Sequence, residues 1–140
     1  MCRRPLSLPE IHVPRVLIID DEQGIRFALQ RWFARQGWSV LEAADGRDGL
    51  TLVRASGDDD DSRLDLIVCD LHLPRLSGEE LYGHVKRERP EMIDRLIFST
   101  GDAVDAAAPD TLLATHARVL QKPFELATLR DMIATMRPET

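Results

Sequence analysis

Apolar residues fall along this chain in two rhythms. Short unbroken runs alternate with stretches in which they recur every three or four positions. The first rhythm marks strands buried on both faces, as in a parallel sheet, and the second marks helices with one apolar stripe. Runs at about 15–19, 38–43, 64–70, 95–101 and 117–121 predict five strands. Helical spacing predicts helices over about 22–36, 47–55, 78–89 and 125–136. Ile25, Leu29, Trp32 and Phe33 would face inward in the first, Leu50 and Val53 in the second, and Leu126, Leu129, Met132 and Ile133 in the last. An Ala-rich stretch over 102–116, broken by Pro109, predicts a short irregular helix mainly over 110–115. Strands alternating with helices imply βαβ units, a parallel sheet and an α/β fold.

The punctuation agrees with these boundaries. Gly37 is placed to stop the first helix. Asp45-Gly46 forms a turn and caps the second. Ser77 with Glu80 three residues on reads as a capping box, and Pro90 ends the helix it opens. Residues 1–14 hold three prolines and no periodic pattern, so they read as a flexible N-terminal arm. The folded domain is expected over 15–137, with 138–140 as a tail. Asp58 to Asp61 are four consecutive aspartates, but the alternating spacing and closing Glu of a calcium-binding EF-hand loop are absent, so they read as a solvated loop.

Length and composition narrow the class. The chain has 140 residues, enough for one domain with a proper core. Its formal net charge of −6 argues against a nucleic-acid surface, which needs a basic stripe. No apolar run approaches the ~20 residues of a membrane span, and the first residues lack the apolar centre of a signal peptide. Two cysteines, Cys2 and Cys69, make no disulfide framework and fit a reducing cytoplasm.

The candidate chemistry lies where the strands end. The run 64–70 stops on Asp70, and five of its seven residues are apolar. Read alone, Asp70 is equally a turn-starting residue and a reactive one. The other strands break the tie. The first ends on Asp20 and Asp21, the fourth on Thr100, the fifth on Lys122. A parallel sheet points all these ends to one edge, the edge where open α/β sheets bind ligands. Three carboxylates and one ammonium in one place want a divalent cation. The donors are all oxygen, so Mg²⁺ is the natural choice and Mn²⁺ the next. A carboxylate beside Mg²⁺ and Lys can attack phosphorus and form an acyl phosphate.

These residues resemble the receiver domain of two-component response regulators over about 15–137. The resemblance is carried by Asp20-Asp21-Glu22, Asp70 with Pro74 and Gly78, Thr100-Gly101 and Lys122-Pro123-Phe124. Gly24-Ile25-Arg26, Gly37, Val40 and Ala43-Ala44-Asp45-Gly46 add to it. It implies a flavodoxin-like, doubly wound five-stranded parallel sheet of order 2-1-3-4-5, with helices on both faces. It implies that Asp70 accepts a phosphoryl group from a sensor histidine kinase or a histidine phosphotransfer protein. Asp20, Asp21 and Asp70 would hold Mg²⁺ with the backbone carbonyl of His72. Thr100 would be the switch hydroxyl, Lys122 the phosphoryl partner, and the Lys122-Pro123 bond cis. His72 and Asp102 would flank the phosphoryl group and tune its hydrolysis.

Two departures stand out. Val119 occupies a place where the family usually has Tyr or Phe, with Phe98 and Phe124 as substitutes better suited to the core. Pro109 disturbs the helix that receivers commonly use for dimers or outputs. The expected protein is therefore a cytoplasmic signalling module rather than an enzyme, a monomer or weak homodimer, acting on a downstream protein and on neither nucleic acid nor membrane. No output domain is expected after Met136. A phosphorelay shuttle or the receiver of a hybrid kinase is the alternative. An Asp-dependent phosphatase fits less well, because Asp20 lacks the second Asp two residues on. An unphosphorylated binding module would have no use for the intact acidic set.

Overall fold

A computed structural model of the chain describes residues 13–59, 61–101 and 118–136. Five strands form one parallel sheet of order β2-β1-β3-β4-β5. They are β1 (Arg15–Ile19), β2 (Ser39–Ala43), β3 (Leu66–Asp70), β4 (Leu96–Thr100) and β5 (Arg118–Gln121). The α-helices among the described residues are α1 (Gln23–Arg35), α2 (Gly46–Ala55), α3 (Gly78–Glu88) and α4 (Leu126–Met136). The stretch 102–116, including Pro109 and Asp102, lies outside the described residues, as do Cys2 and the rest of 1–12.

Side chains alternate across the sheet with period two, and so does the core. Leu17, Ile19, Ile67, Cys69, Leu96 and Phe98 face α2 and α3, where Leu50, Val53, Leu81 and Val85 meet them. Val16, Ile18, Leu66, Val68, Ile97 and Leu120 face the opposite way, toward Leu29 and Phe33 of α1 and Leu129 of α4. Every residue of β3 and β4 is buried, which is why those strands read as continuous apolar runs. Trp32 and Trp38 clasp Phe33 edge-to-face at 5.0 and 5.2 Å.

The local signals act as their chemistry requires. Gly37 ends α1 with φ 89°. Asp45 accepts from the Asp48 amide at 2.8 Å, and Ser77 and Glu80 form a reciprocal capping box. One expectation needs correction. Leu126, the first residue of α4, does not join the core: it is 37% exposed, and Leu129, Met132 and Ile133 do the packing. Pro90 ends α3 as expected and opens a 3₁₀ turn, Pro90–Arg95, that seats Met92 in the core. Proline suits the first position of a helical turn, where its missing N–H is not needed.

Candidate functional site

Asp20 and Asp70 end their strands side by side because β1 and β3 are neighbours, Ile19 pairing with Cys69. Both are buried, at 2% and 5% exposure, while Asp21 is exposed. One carboxylate oxygen from each of Asp20, Asp21 and Asp70 lies within 4.8 Å of the others. At 4.8 Å, two unit negative charges repel by on the order of 3 kcal/mol for an effective dielectric near 20.

The backbone and one lysine hold these acids. Asp20 Oδ1 accepts from the Glu22 amide at 2.9 Å, and Asp70 Oδ1 from the His72 amide at 3.1 Å. The other oxygens meet at Lys122, whose Nζ donates to Asp20 Oδ2 at 2.9 Å, Asp70 Oδ2 at 3.1 Å and Glu22 Oε1 at 3.1 Å. Burial raises the pKa of Asp20; the Glu22 amide and Lys122 pull it down without overcoming that effect. Burial works against the charged form of Lys122, but its bonds to Asp20 and Asp70 outweigh it and the pKa is raised. Beneath them Cys69 is a buried free thiol, pushed well up by burial and then by the neighbouring Asp70 and Asp20 charges. It is inert structure rather than a nucleophile.

Thr100 ends β4, fully buried, and its carbonyl accepts the Lys122 amide at 2.7 Å. Thr100 and Lys122 are thus tied through their backbones. The Lys122-Pro123 bond is cis. His72 is exposed beside Asp70, while Asp102 lies outside the described residues. Val119 is half-buried, packed against the core on the α2–α3 side; Phe98 is buried against Tyr82, and Phe124 packs on the opposite core.

The loop after Asp70 is pressed against its surroundings. Gly78 has no room for a side chain: a Cβ there would lie 2.6 Å from the Asp70 carbonyl oxygen. Arg75 has φ 71°, and the Leu76 amide donates back to the Pro74 carbonyl at 2.7 Å. That is a strained three-residue turn. Two residues at the site were not singled out from sequence for this role. Glu22 is the third partner of Lys122, and Arg26 donates to the Asp20 carbonyl. The Glu22 contact depends on where the chain returns a hundred residues later, and the Arg26 contact on how α1 is set against the end of β1.

The donor set fits a hard divalent cation: three carboxylate oxygens, no thiolate or imidazole, and more negative charge than Lys122 alone balances. The model of the response regulator receiver domain matches residues 16–134. This chain belongs to that family. It is 31% identical over 119 residues to the Regulator of RpoS of Escherichia coli strain K12, covering 85% of this chain and 33% of that protein. The receiver chain thus spans about a third of the length of that curated relative. It is 29% identical over 126 residues to sporulation initiation phosphotransferase F of Bacillus subtilis, covering 89% of this chain and 94% of that one. Among solved structures, a response regulator receiver domain protein from Clostridium thermocellum superposes with a TM-score of 0.74 and 26% identity, over 89% of this receiver and 94% of that chain.

Proposed function

We propose that this receiver is a phosphorylation-driven switch in which Asp70 takes a phosphoryl group from the phosphohistidine of a sensor kinase or a histidine phosphotransfer protein. The observation that most supports this is the Lys122 ammonium shared by Asp20 and Asp70 at 2.9 and 3.1 Å. A carboxylate held beside a fixed cation, both oxygens directed by hydrogen bonds, is a pre-aimed nucleophile. In the transfer an Asp70 oxygen forms the new O–P bond as the P–N bond of the donor breaks. The imidazole nitrogen leaves with the electron pair. Lys122 pairs with the negative oxygens of the group in flight.

Asp20, Asp21 and Asp70, with the His72 carbonyl, are the groups that would hold Mg²⁺, or Mn²⁺ in its place. The bound ion supplies charge neutralisation at the phosphoryl oxygens. Phosphorylation adds about one unit of negative charge at the sheet edge. Thr100 offers its hydroxyl to the new group, and its backbone bond to Lys122 makes the two respond as one. His72 and Asp102 are the side chains placed by sequence to tune hydrolysis; His72→Ala should change the phosphoryl lifetime, and an unchanged lifetime removes His72 from that role. Function as a cytoplasmic module accords with a buried free thiol and with the lack, among the described residues, of a helix long and apolar enough to cross a membrane.

Incubation with Mg²⁺ and acetyl phosphate, followed by intact-mass measurement, tests the reading. Wild type should gain one phosphoryl group, and Asp70→Asn should gain none. No adduct on wild type contradicts the switch. A second reading, a shuttle that hands the group to another histidine, draws on the near full-length match to a phosphotransferase. A histidine phosphotransfer protein added to the labelled receiver would then discharge it faster than its own hydrolysis.

A further inference from the structure

Arg26 stands in the first turns of α1, outside the acidic cluster, and touches that cluster from behind. Its Nη1 donates to the Asp20 carbonyl at 2.7 Å, and its Nε lies 3.4 Å from Glu42 Oε1 on β2. Its side chain is 18% exposed, so the contact is largely withdrawn from water.

The sheet register explains why that carbonyl needs a donor. The last rung between β1 and β2 pairs Ile19 with Ala43. Asp20 lies one residue further on, donating its amide to the Ala43 carbonyl at 3.1 Å. There β2 ends and the chain turns toward Asp45 and α2. A buried carbonyl past the last rung must be satisfied from elsewhere. Helical side chains lean toward the N-terminus of their helix. Arg26 reaches back that way and supplies the donor, and its fork leaves a second arm for Glu42. Asp20 is therefore held at four points: amide on Ala43, carbonyl on Arg26, Oδ1 on Glu22 and Oδ2 on Lys122.

We propose that Arg26 is a positioning residue for the cation site: it fixes the Asp20 backbone so that this carboxylate meets Asp21 and Asp70 around a divalent cation. The inference rests on reading the Asp70 site as Mg²⁺-dependent. Arg26 has two effects of opposite sign. Its positive charge repels an incoming cation, an effect softened by solvent and by Glu42. Its clamp on Asp20 favours the cation, and outer-shell partners of metal ligands typically weigh about 10- to 100-fold in affinity. The clamp is the larger effect.

Calorimetric titration with Mg²⁺ separates the two. Arg26→Met should weaken binding about tenfold, whereas a pure charge effect would strengthen it. Arg26→Lys keeps one N–H for the carbonyl and should recover to within about threefold of wild type, and Glu42→Gln should stay within about twofold. Arg26→Met binding as tightly as wild type overturns the proposal, and so does Arg26→Lys binding no better than Arg26→Met. Circular dichroism checks that each variant is folded; if Arg26→Met is not, Arg26→Gln against Arg26→Lys carries the same comparison. The wild-type titration keeps the two ideas apart. Absence of Mg²⁺ binding by wild type contradicts the site reading itself, while normal wild-type binding with an unchanged Arg26→Met removes only the role of Arg26.

Discussion

Two buried aspartates bracket β3, and they are partnered in opposite ways. Asp65, at the amino end, accepts the Arg15 amide at 2.9 Å and lies 3.2 Å from Arg63 Nε, one acid facing one arginine. Asp70, at the carboxyl end, shares one lysine with Asp20 and Glu22 and has Asp21 as a further acidic neighbour. Their burial is nearly the same, 8% and 5% exposure. What separates the two acids is charge balance. The amino end pairs its charges, and the carboxyl end keeps an excess of negative charge that a divalent cation can balance.

The glycines at the two ends sharpen this contrast most strongly. Gly78→Ala drives a Cβ against the Asp70 carbonyl and the Leu71 Cα, both backbone, at 2.6 and 2.8 Å. It should cost about 3 kcal/mol in urea denaturation and slow phosphorylation as well. Gly57→Ala, near the amino end, meets the Ser62 hydroxyl at 2.6 Å. That hydroxyl can swing away by giving up its exposed bond to Asp59, so the cost should stay at about 1 kcal/mol with labelling unchanged. Equal costs would mean that the Asp70 end is no more tightly built than the other.

A smaller effect compares the acids directly. Asp65→Asn leaves Arg63 without its anion and should destabilise by about 2 kcal/mol. Asp70→Asn relieves repulsion with Asp20 and Asp21, so the metal-free protein should be unchanged or more stable by up to about 1 kcal/mol. The reverse ranking in metal-free denaturation would break the comparison.

The smallest effect lies on the surface between α2 and α3. The exposed Glu88 is held down to about 2 by Arg54, which donates from Nε at 2.8 Å and Nη2 at 2.7 Å. Its folded pKa is thus below the ordinary 4.5. The stabilisation is present above about pH 4.5 and is lost as pH falls toward 2. Wild type should exceed Glu88→Gln in stability by a small constant margin above pH 5, and that margin should close toward pH 2. A gap that persists at pH 2 would assign it to packing instead.

The strands and the polar residues that end them were legible because each signal is local: a run of apolar residues, then an acid, a hydroxyl or a lysine. A parallel sheet does the gathering, so Asp20, Asp70, Thr100 and Lys122 needed no long-range information. Caps at Asp45 and Ser77 were legible for the same reason. What sequence left hidden depends on distant backbone. The contact of Arg26 is explained only once the end of the β1–β2 ladder is known. Gly46 reads as a turn residue, yet a Cβ there would lie 1.7 Å from the Leu76 carbonyl oxygen, thirty positions on. The backbone partner of Asp65 was hidden too, because the Arg15 amide, fifty positions back, reaches it only in the folded chain. Leu126 fitted the helical stripe, yet it stands at the first position of α4 and stays 37% exposed.

The most direct test is chemical mapping of the phosphoryl group. Protein labelled with acetyl phosphate and Mg²⁺ is reduced with borohydride, which converts an acyl phosphate to an alcohol, and the modified peptide is located by mass spectrometry. The predicted result is a single modified position at Asp70, absent without Mg²⁺ and untouched in Asp65→Asn. Modification at Asp65, an equal spread over several acids, or labelling of Asp70 that ignores Mg²⁺ would contradict the claim that charge imbalance at the end of β3 makes Asp70 the acceptor.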